Sequence, residues 1–138
     1  MYYIEPEIAG GLGEATIIDT SCHPPKIKEL EYKFDGWLGD DILEAFPCYI
    51  ITEDLAKAIL ANTLKGVSFK PVKTTKSDEF SELFPDLKLP DFQWLIIEGS
   101  GCLDDFWLTN DCRLAVSDLA FTLLKDFKIK HADITIFT

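Results

Sequence analysis

The chain has 138 residues, 47% of them hydrophobic, and carries 13 Lys and Arg against 24 Asp and Glu, a net charge of −11 at pH 7. That length fits one domain over residues 1–138, burying about 68–70% of the surface its unfolded form exposes, enough for a core without disulfides or metal. The charge argues against nucleic acid and anionic membranes as partners, because both are held by lysines and arginines. A cationic protein or a divalent metal stays open, and acidity also serves solubility alone.

Residues 1–30 read as a loop-rich segment. Met1–Pro6 has neither the basic nor the apolar region of a signal peptide, and no apolar run reaches the roughly 20 residues that span a bilayer. A cytoplasmic protein is expected. Gly10-Gly11-Leu12-Gly13 reads as a flexible turn. It is not a phosphate loop, since Glu14 and a β-type run over Ala15–Ile18 follow it instead of a helix. His23-Pro24-Pro25 forces an extended path. Tyr32–Asp35 suits a strand ending in a turn at Gly36, and Asp40–Ala45 suits a short helical turn.

The middle of the chain is clearer. Cys48–Ile51 is apolar throughout, as a buried strand is, and Thr52 follows as an N-cap with Glu53 and Asp54 at the positive end of a helix. Leu55, Ala58 and Ile59 give that helix its apolar face, and Gly66 is placed to terminate it in a left-handed conformation. Val67-Ser68-Phe69 resumes the period of a strand. Lys73–Asp91 reads as a polar surface excursion with a short helix over Ser77–Leu83. Phe92–Ile97 is apolar on both faces, as in a central strand, and Gly99-Ser100-Gly101 would turn it into a hairpin with Asp105–Leu108.

A related pattern returns after Arg113–Val116, which reads as a strand. Ser117 is the cap, and Leu119, Ala120, Leu123, Leu124 and Phe127 form a helix face leading to a last strand near Ile134. Asp54-Leu55-Ala56 and Asp118-Leu119-Ala120 align, either as a duplicated unit or as two ordinary amphipathic helices. The expected fold is a single α+β domain. Its sheet is mixed or mostly antiparallel, and its two main helices each sit in a strand-helix-strand unit.

Little in the chain promises catalysis. Cys22, Cys48, Cys102 and Cys112 form no C-x-x-C pair and read as reduced thiols, with Cys48 a small hydrophobe. His23 adjoins Cys22 in a geometry poor for a thiolate–imidazole pair, and His131 suits a helix end. Asp40-Asp41-Glu44 and Asp104-Asp105 are hard oxygen donors suited to Mg²⁺ or Ca²⁺, but neither has the spacing of a calcium loop. Solvated acidic surface is the plainer account, and no cofactor is expected. Carboxylates beside tryptophans are more informative. Trp37 adjoins Asp35, Asp40 and Asp41, and Trp107 adjoins Asp104, Asp105 and Asp111. Tryptophan anchors interfaces and carboxylates complement a basic partner. These eight residues with Glu44 are therefore candidate partner contacts, against a competing core role for both tryptophans and a firm one for Trp94.

Phe34-Asp35-Gly36-Trp37-Leu38-Gly39-Asp40-Asp41, Phe46-Pro47-Cys48-Tyr49-Ile50-Ile51-Thr52, Asp104-Asp105-Phe106 and Leu114-Ala115-Val116-Ser117 resemble the immunity proteins of bacterial polymorphic-toxin and contact-dependent inhibition systems. The resemblance runs from about Tyr32 to Asp133. It implies a cytosolic antidote without catalytic residues, a monomer or weak homodimer that binds one cognate basic toxin domain, often a nuclease or deaminase. No toxin-contacting residue carries over from it, because contacts differ between cognate pairs. The residues alone leave two rivals open, a metal-dependent enzyme using the aspartate clusters and an adaptor assembling through an exposed edge strand.

Overall fold

A computed structural model describes residues 1–22, 25–101 and 103–137. The described residues form thirteen strands and three helices in mostly antiparallel sheets, a single small α+β domain. The readings of His23-Pro24 and of Cys102 lie outside them.

Central to the molecule is a sheet of β6 (Ile42–Ala45), β7 (Cys48–Thr52), β10 (Phe92–Ile97) and β8 (Val67–Lys70), in that order and antiparallel throughout. Both its faces are buried, which is why β7 and β10 read as continuous apolar runs. Alternation along β7 sends Tyr49 and Ile51 into one core and Cys48 and Ile50 into the other. The first core is closed by α1 (Glu53–Ala61), α3 (Asp118–Leu124) and a second sheet. That sheet has the order β11 (Phe106–Leu108), β12 (Leu114–Val116), β1 (Tyr2–Glu5), β13 (Asp133–Ile136). The second core is closed by β5 (Glu31–Phe34) and by Phe80 of α2 (Asp78–Leu83). β5 lies between β2 (Gly10–Leu12) and, in parallel, β9 (Lys73–Lys76). A hairpin of β3 (Ile17–Asp19) and β4 (Lys26–Glu29) completes the fold.

Two stretches of the chain follow one plan. In β6-β7-α1-β8 and in β11-β12-α3-β13, a hairpin leads into a helix, and the helix into a strand separated from the hairpin by one antiparallel strand, β10 or β1. The correspondence extends to single hydrogen bonds. Thr52 caps α1 through Leu55 N–H and Ser117 caps α3 through Ala120 N–H. Thr52 Oγ1 donates to Asp41 Oδ1 at 2.9 Å, and Ser117 Oγ donates to Asp105 Oδ1 at 2.7 Å. The other oxygen of each carboxylate reaches into the opposite stretch. Asp41 Oδ2 accepts from Lys128 N–H at 2.7 Å and Asp105 Oδ2 from Lys65 N–H at 2.8 Å. Each aspartate thus ties its own helix cap to the segment that follows the other helix.

Several expectations fail for identifiable reasons. The N-terminal segment is not loop-rich, because β1 is an inner strand between β12 and β13 and three further strands follow it before Leu30. Gly10 belongs to a strand, and a Cβ there would lie 1.9 Å from the Lys33 carbonyl oxygen, so its absence permits close pairing with β5. Asp40–Ala45 is no helical turn, because Ile42–Ala45 pairs with β7. Helix α1 stops at Ala61, with Asn62 as C-cap and Thr63 at φ 52°, ahead of Gly66. Ala56 takes the buried place expected of Ala58, and Leu119 is exposed. Lys73–Lys76 pairs with β5 inside the supposed excursion, although the short helix stands as expected, as α2 with Ser77 for its cap. The segments β10 and β11 form no hairpin, because β11 crosses to the second sheet and pairs with β12.

Glu31 holds the third sheet to the loop before β3. Its carboxylate accepts from Ala15 N–H at 2.8 Å and Thr75 Oγ1 at 2.5 Å, in space left by the missing side chain of Gly13. The Thr75 bond, then the Ala15 bond, holds the carboxyl below its ordinary value. A carboxyl lowered on folding contributes stability above its unfolded pKa and loses it as pH falls through the folded one. Glu31→Gln is therefore expected to lower the urea midpoint at pH 7, and the deficit should shrink on acidification below about pH 4. A deficit independent of pH would refute this.

Candidate functional site

Most of the acidic residues expected at an interface serve the fold. Asp40 is 1% exposed, and its Oδ2 accepts from His131 N–H at 2.8 Å. Asp41 and Asp105 are the two ties described above. Asp104 Oδ2 accepts from Ser100 N–H at 2.7 Å, and Asp111 accepts from the Thr109 hydroxyl within its own turn. Trp107 is 6% exposed, a buried residue of β11 that corrects its reading as a contact. Trp37 is half-buried, donates Nε1–H to the Asp40 carbonyl at 2.9 Å and meets Phe92 edge-on. Asp35 is exposed beyond β5. The aspartate clusters do not converge on a cation site. Among the described residues no group of three or more His, Cys, Asp or Glu is placed to hold a metal ion.

Glu44 is different. It lines a cleft of about 600 Å³ together with Glu5, Glu7, Asp133, Tyr49, Arg113 and His131, on walls that include Ile4 and Leu114. Register builds this cleft. Glu5 of β1 stands directly opposite Asp133 of β13, and Glu44 of β6 directly opposite Tyr49 of β7. Like charges directly opposite across strands repel. Burial, and then the neighbouring Glu5 charge, raises the Glu44 carboxyl above its ordinary value. Burial raises the Tyr49 phenol, with Glu44 the next cause. Glu7 is committed to the fold, accepting from Leu38 N–H at 2.9 Å. Among the described residues Arg113 makes no ion pair with these carboxylates, and its guanidinium lies over the Tyr3 ring, 3.8 Å from the centroid. Sequence reasoning found only Glu44 of this group, since the other members meet through pairings between opposite ends of the chain.

A second, apolar hollow of about 160 Å³ includes Phe46, Pro47, Cys48, Trp94 and Leu108 in its lining. Burial pushes the Cys48 thiol up to about 12, so it is an inert hydrophobe and no nucleophile. No helix is long and apolar enough to cross a membrane among the described residues. The chain matches no known protein family, no curated protein and no solved structure.

Proposed function

We propose that the protein is an immunity-type inhibitor of the cytosol that binds a basic toxin domain, of nuclease or deaminase type, one to one and performs no catalysis. The observation that carries this reading is the fate of the charges. The chain has 24 Asp and Glu, yet among the described residues the ion pair formed joins Asp118 to the Met1 ammonium, and no lysine or arginine side chain pairs with a carboxylate. Several aspartates are used as acceptors for backbone N–H groups, which leaves their negative charge in place. The carboxylates therefore stand unpaired with lysine or arginine, and the net charge of −11 projects a field that attracts a cationic macromolecule.

The test is binding to the toxin domain encoded beside this protein, followed across salt concentrations. Association near about 10⁸–10⁹ M⁻¹s⁻¹ at low salt, falling steeply as salt rises, is the expected result. Weak binding that ignores salt would refute the electrostatic account.

A further inference from the structure

We propose that the cleft between β1, β6, β7 and β13 is the receptor for one arginine side chain of the basic partner, with Glu44, Glu5 and Asp133 meeting the guanidinium and Tyr49 accepting a hydrogen bond from it. This rests on the reading of the protein as a binder of a basic domain and adds where the partner's anchoring residue enters.

Three observations converge here. The first is unmet charge. Glu5, Glu44 and Asp133 line one cleft, and among the described residues their carboxylates make no ion pair and no hydrogen bond. Two of them oppose each other directly across β1 and β13, an arrangement that costs stability until a cation enters. The second is Tyr49. It is 5% exposed, yet its hydroxyl has no hydrogen-bond partner among the described residues, and no fully buried side-chain oxygen there is left unsatisfied. The hydroxyl must therefore reach solvent. Its side chain projects from the same sheet face as that of Glu44, its cross-strand partner, and both line the cleft. A phenol this deeply held, with no protein partner for its oxygen among the described residues, can take the donor that a ligand would bring. The third is the resident cation. Arg113 stands at the cleft with its guanidinium over Tyr3, and among the described residues it forms no ion pair with the carboxylates.

Arginine fits better than lysine or a metal ion. Its planar guanidinium offers five donors to acceptors spread over four strands and is weakly hydrated, so it tolerates the apolar walls of Ile4 and Leu114. An ammonium is a compact, strongly hydrated point charge. A divalent ion needs converging oxygens, and no such group exists among the described residues.

The probe is Nα-acetyl-L-arginine methylamide at millimolar concentration, with the lysine counterpart and Mg²⁺ in parallel. The readout is the ¹³C ring resonances of Tyr49, assigned with Tyr49→Phe. The arginine probe should shift them saturably, and Glu44→Gln should weaken its binding at least about tenfold, a change of about one unit in log Kd. Glu5→Gln, at an exposed strand position, should weaken it in the same direction should Glu44→Gln perturb the fold. Glu82→Gln on α2 should change nothing. An unmoved Tyr49, probe binding as tight in both Glu44→Gln and Glu5→Gln as in the unsubstituted chain, or a stronger response to Mg²⁺ would each overturn the assignment. A polyarginine peptide titrated in the same variants separates the two proposals. If it binds all of them equally while the small probe leaves Tyr49 unmoved, the protein still binds a basic partner and the cleft is not its anchor. If it fails to bind even the unsubstituted chain, the basic-partner reading itself is at fault.

Discussion

Replacing Asp105 by Ala is expected to cost about 2–4 kcal/mol of stability, and Asp41→Ala a similar amount, although both carboxylates look like surface charge. Each loses two charge-assisted bonds, one to a partly buried hydroxyl and one to an exposed backbone N–H. A bond to a charged group contributes about 1.5–3 kcal/mol, and solvent reduces the exposed one to about 0.5–1.5 kcal/mol. The helix cap suffers as well. Ser117 Oγ accepts from Ala120 N–H while donating to Asp105, so losing Asp105 frees the hydroxyl to rotate away from the helix. The same holds for Thr52 between Leu55 and Asp41. Asn in either place keeps one acceptor and should recover about half of the loss. Because each tie joins both stretches of the chain, the double alanine variant removes about 4–8 kcal/mol from a fold of about 5–15. It should unfold at a far lower urea concentration than either single variant. Urea denaturation decides the matter. A change below about 0.5 kcal/mol in both single variants would show that these bonds are interchangeable with bonds to water.

The contrast between what the chain announces and what it conceals follows from the range of the interactions. Thr52 and Ser117 are legible as caps because the N–H each one satisfies is three residues away. The strands β7 and β10 are legible because burial on both faces leaves an unbroken apolar run. Inner strand β1 is not legible, since Tyr2-Tyr3-Ile4-Glu5 is too short to show a period and both its partners lie beyond residue 113. Gly10 misleads because a glycine in a turn and a glycine where two strands crowd look alike in sequence. Asp41 and Asp105 are visible as a pair of Asp-Asp words, which read as solvated acidic surface or partner contacts, whereas the structure uses both carboxylates as ties within the fold. A usable signal did exist. Each word precedes a Thr or Ser cap by 11 or 12 residues, with a short hairpin between, and each word is followed at the same interval by Asp-Leu-Ala. That repetition carries the expected likeness of the two helices out to their hairpins. The cleft was concealed most completely, since nothing near Glu5 or Asp133 in sequence tells that the two face each other across 128 positions.

Phe34→Ala and Phe106→Ala test the remaining architectural claim, that two cores share one sheet. Both side chains are 0% exposed, Phe34 in the core closed by β5 and α2, Phe106 in the core closed by the second sheet with α1 and α3. Truncating a buried phenylalanine costs about 3–5 kcal/mol through lost transfer energy and the cavity left behind. The Phe106 site has little freedom to collapse. Its backbone carbonyl lies 2.3 and 1.9 Å from where a Cβ on Gly66 or Gly99 would be, so three backbone segments already crowd together there. Phe106→Ala is accordingly placed at the upper end of that range. The two phenylalanines belong to different clusters, so their costs should add, and the double variant should not fold. More telling is the shape of each single transition. Strands β7 and β10 supply side chains to both clusters, so damage on one face must weaken the other. Each variant should therefore lose tryptophan fluorescence and far-ultraviolet dichroism in one coincident urea transition with an unchanged slope. Two separated transitions in either variant would mean that the faces unfold independently, and the central sheet would then not be the shared wall on which the acidic cleft is built.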